Sequence, residues 1–307
     1  MYKPKNLINR NFLSNFDINK EELIYLLDLS EKLKKKQLSI NFKDKVLGLI
    51  FDKSSTRTRV SFQVAMSRIG GNTIDLNPGT SQIGRGEPIK DTARVLSRYC
   101  DVLAIRTFDQ EIIKEYAKWS SKPIINALTD LEHPCQALAD FLTIKEEFGS
   151  YEDVLLTFIG DGNNVANSLI ICGAILGIKV RIACPKGFEP NYKTLSEKCG
   201  INIGKGLEIY HDPIEAVKGA NVLYTDVWSS MGEENKKDEK DREFKGFTVN
   251  NTLVNKAQKD AIILHCLPAY RNREITDEVI NCSKSRIFNQ AENRVHAQQA
   301  LLSCLLS

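Results

Sequence analysis

The 307-residue sequence lacks several features that would assign it to a specialised class of protein. It has no apolar run of about 18 residues, so no membrane span is expected. Its beginning, MYKPKNLINRNFLSNF, has no apolar core of the kind found in a secretory signal peptide. The eight cysteines include no C-x-x-C pair, which argues against a disulfide scaffold or a zinc site. We therefore expect a cytoplasmic protein with reduced thiols and no bound metal.

A strong excess of charge is also missing. The 42 basic and 39 acidic residues give a formal charge of +3, whereas a nucleic-acid-binding protein usually shows a larger or more clustered basic excess. The lysines at 32 and 34–36 belong to an amphipathic helix predicted over residues 20–36, and no aromatic residues interleave them. We expect no nucleic-acid or membrane partner, and the balance leaves room for a local basic pocket facing a small anion.

Short buried strands alternate with helical patterns, which predicts parallel α/β sheets. Strands are predicted at Val46–Phe51, Val102–Ile105, Leu155–Ile159, Val180–Ala183, Val222–Tyr224 and Ala261–Leu264. Helices are predicted at Thr58–Ile69, Ile89–Tyr99, Glu111–Lys118, Cys135–Phe148, Asn164–Leu176 and Tyr192–Lys198, with a closing helix at Ala297–Leu306. The length favours two domains with a boundary at residues 148–150. The charged run Glu233–Lys245 is expected to be a solvated, mobile loop.

Polar side chains suited to an anion follow the first strand. Residues 54–58, Ser-Ser-Thr-Arg-Thr, stand where a strand turns into a helix, and backbone N–H groups at a helix start favour negative charge. The glycines of a Walker A loop are absent. Arg106 follows another strand, and His133 and Gln136 open a further helix. The simpler interpretation is a capping hydroxyl with exposed arginines, but the clustering favours an oxyanion site.

The second half of the chain places further chemistry after its strands. Gly160-Asp161-Gly162 resembles the start of a dinucleotide turn, but the following strand does not end in the acid that would bind a ribose. Asn164 faces the crevice in this interpretation, or caps a helix. Asp226 and Cys266 each follow a strand, and together they suit proton handling or positioning of an amine.

Four motifs in order resemble the aspartate/ornithine carbamoyltransferase family. They are SSTRTRVSF (54–62), HPCQ (133–136), DVWSSMG (226–232) and HCLP (265–268), and the last two resemble the ornithine branch. The stretch SQIGRGEPIKDTARVLSRY (81–99) is also similar, so the resemblance covers nearly the whole chain.

The resemblance implies two parallel-sheet α/β domains joined by interdomain helices, with the C-terminal helix returning to the first domain. The carbamoyl-phosphate-binding domain would span residues 1–148, with helix 291–307 packing on it, and the ornithine-binding domain residues 149–290. A homotrimer with active sites at subunit interfaces is implied, and no cofactor.

The resemblance also implies roles for individual residues. Carbamoyl phosphate would be bound by Ser55, Thr56, Arg57, Thr58, Gln82 from a neighbouring subunit, Arg106, His133, Pro134, Cys135, Gln136, Cys266, Leu267 and Arg294. Ornithine would be bound by Asn164, Asp226, Ser230 and Met231. The catalytic groups would be Arg106, His133, Asp226 and Cys266.

The implied reaction transfers a carbamoyl group to the δ-amine of ornithine, in the direction of arginine biosynthesis. A relative acting on another amine, such as putrescine, is the alternative. A nucleotide-binding oxidoreductase and a nucleic-acid module are further alternatives, which the missing ribose acid and the small net charge disfavour.

Overall fold

The computed structural model describes residues 7–77, 79, 82–191, 195, 202–203, 206–229 and 237–307. The chain divides into two compact units. The first consists of Met1–Leu142 together with Glu292–Ser307, and the second is Thr143–Ala291. The end of the chain thus groups with the first unit, as expected for a returning C-terminal helix.

The first unit is built on a four-stranded parallel sheet in the order β2-β1-β3-β4. Its strands are β1 (Val46–Phe51), β2 (Asn72–Leu76), β3 (Val102–Arg106) and β4 (Ile124–Leu128). Its helices are α1 (Lys20–Lys34), α2 (Arg57–Arg68), α3 (Ile89–Tyr99), α4 (Gln110–Trp119) and α5 (Pro134–Phe148), with single 3-10 turns at Asn15–Asp17 and Ile83–Arg85. The central strands are buried on both faces, which is what their apolar, β-branched runs predict.

The second unit contains a six-stranded parallel sheet in the order β10-β9-β5-β6-β8-β7. Its strands are β5 (Leu155–Ile159), β6 (Lys179–Ala183), β7 (Asn202–Ile203), β8 (Gly206–Tyr210), β9 (Val222–Thr225) and β10 (Ile262–His265). Its helices are α6 (Asn164–Leu176), α7 (Pro213–Ala216), α8 (Lys237–Glu243), α9 (Asn251–Val254) and α10 (Asp277–Ile280). The last helix, α11 (Ile287–Leu306), and α5 each contain residues of both units, so the expected joining helices are confirmed.

Two strands of the first sheet were not predicted from the sequence, for different reasons. β2 is an edge strand whose side chains are mostly exposed, so it carries no buried apolar run. β4 is fully buried, but Asn126 interrupts its apolar pattern. Asn126 Nδ2 donates to the backbone carbonyl of Leu13 at 2.9 Å, which satisfies the nitrogen of this amide inside the sheet. In the second unit, β8 was also missed, and the helix predicted at Tyr192–Lys198 lies largely outside the described residues.

The charged run was wrongly expected to be a solvated loop over its later part. Residues 237–243 form α8, and Lys240 on this helix is only 4% exposed. Its Nζ lies 2.7 Å from Asp161 Oδ2, in the turn after β5. The next residue after the helix, Phe244, is fully buried and stacks on Trp228 with ring centroids 5.4 Å apart. A buried ion pair and an aromatic anchor therefore hold this segment, while residues 233–236 lie outside the described part of the chain.

The backbone of residues 188–190 approaches the Gly160-Asp161-Gly162 turn closely. A Cβ at Gly162 would stand 2.2 Å from the backbone nitrogen of Pro190, which no side chain could tolerate. The glycine is explained by this close approach, without a dinucleotide.

Candidate functional site

The basic residues predicted for an anion site lie at one edge of the first sheet. Arg57 opens α2 shortly after β1, and Arg106 is the last residue of β3, paired in register with Phe51. His133 immediately precedes α5, which follows β4. Because the carboxyl ends of parallel strands share an edge, these side chains converge where α/β proteins bind ligands.

The hydroxyl of Thr58 links two buried guanidinium groups at this edge. It accepts hydrogen bonds from Arg294 Nη2 at 2.9 Å and from Arg106 Nη1 at 3.4 Å. Arg294 Nη1 also donates to Gln136 Oε1 at 2.5 Å. Arg294 is 3% exposed and Arg106 9%, so both charges are held largely out of water. This is a strong anion-binding arrangement, because a guanidinium presents several fixed donors.

The environment keeps His133 neutral. Burial lowers the pKa of its imidazole well below 6.5, and the positive charges of Arg294, Arg106 and Arg57 lower it further. A neutral imidazole at neutral pH is able to donate one hydrogen bond without releasing a full charge into the site.

A buried carboxylate lies one helical turn beyond Gln136, and sequence reasoning missed it. Gln136 Nε2 donates to Asp140 Oδ1 at 2.7 Å, and Asp140 is fully buried. With its oxygen bound to Arg294 and its nitrogen bound to Asp140, the Gln136 amide has a single orientation. The spacing of four residues on α5 was the available signal.

The remaining residues predicted for the first unit differ in exposure. Thr56 precedes α2, yet its side chain makes no capping hydrogen bond among the described residues, so simple capping does not explain it. Arg57 and Thr56 are exposed and Ser55 is half-buried. Pro134 is buried at the start of α5, and Cys135 is fully buried with its thiol directed to the Asn126 carbonyl at 3.4 Å. Burial raises the pKa of Cys135 to about 12, so the thiol itself does not act as a nucleophile.

Gln82 does not join this cluster. It is solvent-exposed and precedes the 3-10 turn Ile83–Arg85. Its predicted role, contact with a site on a neighbouring subunit, is consistent with this exposed position and stays a prediction.

In the second unit, the carboxylate of Asp226 accepts three hydrogen bonds. Cys266 Sγ donates to its Oδ1 at 2.9 Å, and Asn163 Nδ2 donates to its Oδ2 at 2.8 Å. The backbone N–H of Val227 donates to Oδ1 at 2.8 Å. Asp226 is 6% exposed, and its partners follow three adjacent strands, β9, β10 and β5. The pairing of Asp226 with Cys266 agrees with the sequence-based grouping of these two residues.

The turn residue that contacts Asp226 is Asn163, which sequence reasoning missed in favour of its neighbour Asn164. Asn163 also caps α6, because its Oδ1 accepts from the backbone N–H groups of Val165 and Ala166. The capping role considered for Asn164 therefore belongs to Asn163. Asn164 is half-buried as the first residue of α6, and Ser230 and Met231 lie outside the described residues.

Cys266 and Leu267 lie on a turn that a buried histidine organises. Leu267 has a φ of +59°, an unusual conformation for a residue with a Cβ, and its N–H donates to His265 Nδ1 at 2.8 Å. Cys266 is half-buried.

One group of side chains in the described part of the chain has the composition of a metal site. The ligand atoms of Asp226, His265 and Cys266 lie within 4.8 Å of one another. However, His265 Nδ1 accepts from Leu267 and its Nε2 lies 3.2 Å from Glu274 Oε1, so both ring nitrogens are engaged. This geometry does not favour a metal ion, and the absence of a metal stays a prediction. No helix among the described residues is long and apolar enough to cross a membrane.

Comparisons with known proteins cover the whole chain. The family description "Aspartate/ornithine carbamoyltransferase, carbamoyl-P binding domain" matches residues 10–146, and the corresponding "Asp/Orn binding domain" matches residues 152–305. A protein of Prochlorococcus marinus subsp. pastoris named ornithine carbamoyltransferase is 71% identical, with all of both chains covered.

Solved structures give the same result. The ornithine carbamoyltransferase of Pyrococcus furiosus is similar with a TM-score of 0.92 and 44% identity, covering 98% of each chain. The anabolic ornithine carbamoyltransferase of Campylobacter jejuni is similar with a TM-score of 0.89 and 40% identity, covering 95% of this chain and 97% of that one.

The lowered pKa of His133 predicts a loss of stability in acid. Above about pH 6.5 the histidine is neutral in both the folded and unfolded states. As the pH falls below that value, His133 binds a proton in the unfolded chain but stays neutral in the folded protein. The free energy of unfolding therefore decreases. In His133→Gln, urea titrations between about pH 5 and 6.5 should show a pH slope shallower by up to about 1.4 kcal/mol per unit.

The matched control is His211→Gln in the second unit, whose side chain is 39% exposed. An equal change of slope in both variants would contradict the assignment to His133.

Proposed function

This chain belongs to the aspartate/ornithine carbamoyltransferase family, and we propose that it transfers the carbamoyl group of carbamoyl phosphate to the δ-amine of L-ornithine, giving L-citrulline and phosphate. The observation that carries the proposal is the convergence of Arg57, Arg106 and Arg294 on a neutral His133. Such a cluster matches a dianionic phosphate and a polarised carbonyl.

The first unit binds carbamoyl phosphate in this proposal. The N-terminus of α2, with Ser55, Thr56 and Arg57, binds the phosphate, because free N–H groups and a guanidinium together favour an anion. Thr58, Arg106 and His133 donate to the carbamoyl oxygen, where negative charge develops during attack. One preorganised donor of this kind typically contributes about 2.7–4 kcal/mol to the transition state.

The Gln136 and Arg294 side chains hold this arrangement in place, and Pro134 and Cys135 shape the start of α5 beside it. The backbone of Cys266 and Leu267 completes the contacts to the carbamoyl group in the proposal.

The second unit binds ornithine. Asn164, Ser230 and Met231 hold the α-amino and carboxylate groups, and Asp226 with Cys266 orients the δ-amine. An alkyl amine has a pKa of about 10.4, so it arrives mostly protonated and has to lose a proton before it attacks. The Asp226 carboxylate accepts hydrogen bonds from that amine, and the leaving phosphate is a further proton acceptor.

The direction of the pathway and the location belong to the same proposal. We assign the enzyme to arginine biosynthesis in the cytoplasm. The similar Campylobacter jejuni protein is described as anabolic, which supports the biosynthetic direction.

The proposal is tested by measuring citrulline formation from carbamoyl phosphate, with ornithine, putrescine and aspartate as parallel acceptors. Turnover with ornithine and little with the others is expected, because Asp226 and the motif at 226–232 suit a zwitterionic acceptor. Comparable or faster carbamoylation of putrescine would overturn the assignment of the second unit.

Arg57→Ala tests the anion site with little risk to the fold, because Arg57 is exposed. We expect kcat/KM for carbamoyl phosphate to fall about 10²- to 10³-fold, as for loss of one preorganised charged donor. Arg68→Ala, at the exposed end of the same helix, is the control and should retain activity. Steady-state kinetics at saturating ornithine makes the comparison, and an unchanged Arg57→Ala enzyme would refute the phosphate assignment.

We also propose a homotrimer in which Gln82 completes the site of a neighbouring subunit. Its support within this chain is the exposed position of Gln82, together with Ile74 on the edge strand β2, which is 44% exposed.

Mixing tests this shared site. Gln82→Ala and Arg57→Ala proteins should each be nearly inactive. When the two proteins are co-refolded in equal amounts, about a quarter of the sites should be active. Each site needs Arg57 from one subunit and Gln82 from a neighbour, and each of these residues is intact in half of the subunits. No recovery in trimers verified by sedimentation would mean that Gln82 and Arg57 of one site come from the same subunit, which would overturn the shared site.

A further inference from the structure

A buried imidazole–carboxylate pair adjoins the proposed catalytic thiol and has no role in the chemistry described so far. The side chains of His265 and Glu274 are both fully buried, with Nε2 and Oε1 3.2 Å apart. His265 directly precedes Cys266, and Glu274 follows it by eight residues. The contacts of Glu274 are concentrated on Oε1, because its buried Oε2 has no hydrogen-bond partner among the described residues.

The hydrogen bonds define which nitrogen of His265 carries the proton. Nδ1 accepts the backbone N–H of Leu267 at 2.8 Å, so this nitrogen has to be unprotonated. The proton of the neutral ring is then on Nε2, which donates to Glu274 Oε1. The carboxylate therefore selects the tautomer that Leu267 requires.

The same pair closes the turn that presents Cys266. Glu274 Oε1 also accepts the backbone N–H of Tyr270 at 2.5 Å, which ties the middle of the turn to its end. The backbone N–H of His265 donates to Gln290 Oε1 at 2.9 Å, which ties its beginning to α11. The left-handed backbone of Leu267 sits between these ties and is held by its bond to the imidazole.

We propose that His265 and Glu274 are positioning residues, which hold the turn so that Cys266 Sγ stays in hydrogen-bond contact with Asp226. The effect on catalysis rests on the proposed function, since it assumes that Asp226 and Cys266 orient the ornithine amine. The effect on the thiol does not, because the 2.9 Å contact is a property of the folded chain.

Two substitutions of His265 each retain one half of the arrangement. In His265→Asn the amide oxygen replaces Nδ1 for Leu267 and the bond to Glu274 is lost. In His265→Gln the amide nitrogen replaces Nε2 for Glu274 and the bond to Leu267 is lost. Glu274→Gln is the conservative variant, because its carbonyl still accepts from both donors. Arg271→Gln removes an exposed ion pair with Asp277 from the same turn and serves as the control.

The first readout is alkylation of Cys266 by iodoacetamide, followed by peptide mass spectrometry so that each cysteine is measured separately. Both His265 variants should react about tenfold faster than the unchanged protein, because a thiol released from a charged hydrogen-bond partner is more accessible. Glu274→Gln and Arg271→Gln should react at nearly the unchanged rate. Unchanged alkylation in folded His265→Asn and His265→Gln proteins would overturn the proposal.

The second readout separates positioning from general destabilisation. In the His265 variants kcat should fall about 10²-fold, as for a small displacement of a catalytic group, while KM for carbamoyl phosphate changes little. Equal losses in both constants would contradict a positioning role.

A third measurement needs no variant and decides the matter if the His265 variants fail to fold. Nitrogen NMR of the protein labelled at its four histidines, at about pH 8, should show His265 protonated at Nε2. A proton on Nδ1 would overturn the proposal. If the unchanged enzyme made no citrulline, the proposed function would fall, whereas the alkylation and NMR results would still test the placement of Cys266.

Discussion

Concentrated positive charge at the carboxyl edge of the first sheet is the constraint on which the rest of this structure depends. Arg106 and Arg294 are nearly buried and share one hydroxyl acceptor, so their mutual repulsion is only weakly screened by water. The positive ends of α2 and α5 add to it. Keeping His133 neutral avoids one more positive charge, and Asp140 accepts a hydrogen bond from the Gln136 amide that contacts Arg294. A dianion bound at this edge would relieve the repulsion, so the edge is electrostatically suited to an anion.

The second unit solves a different electrostatic problem. Asp226 is buried, and its carboxyl group accepts hydrogen bonds from three neutral donors. A carboxylate satisfied by neutral donors keeps much of its attraction for an incoming amine. Asn163 at the start of α6 contacts this carboxyl group from one side, and the turn closed by His265 and Glu274 carries the thiol that contacts it from another.

Much of the fold and many site residues followed from the sequence, because strand ends and chemistry coincide in parallel α/β proteins. Arg106, Asp226 and Cys266 all follow predicted strands, so their positions at strand ends could be anticipated from the sequence. His133 follows β4, which was not predicted, and was identified instead by the helix that begins after it. The sequence could not decide between Asn163 and Asn164 as the contact of Asp226. Two adjacent asparagines in a turn differ only in their backbone dihedral angles, which the sequence does not reveal. The role of Glu274 could not be predicted either, because a buried acidic residue cannot be distinguished from an exposed one in the sequence until its partner is known. The burial of Lys240 was not predictable for the same reason, because it depends on Asp161 and on an aromatic ring, Phe188, that are both distant in sequence.

The division of the first unit into two chain segments has a consequence for synthesis on the ribosome. Residues 1–142 are made first, but Arg294 arrives only after the whole second unit has been translated. Thr58 and Gln136 therefore lack their guanidinium partner until residue 294 has left the exit tunnel. A nascent chain emerging from its N-terminus therefore cannot form the contacts of Arg294 with Thr58 and Gln136 until the second unit has been synthesised.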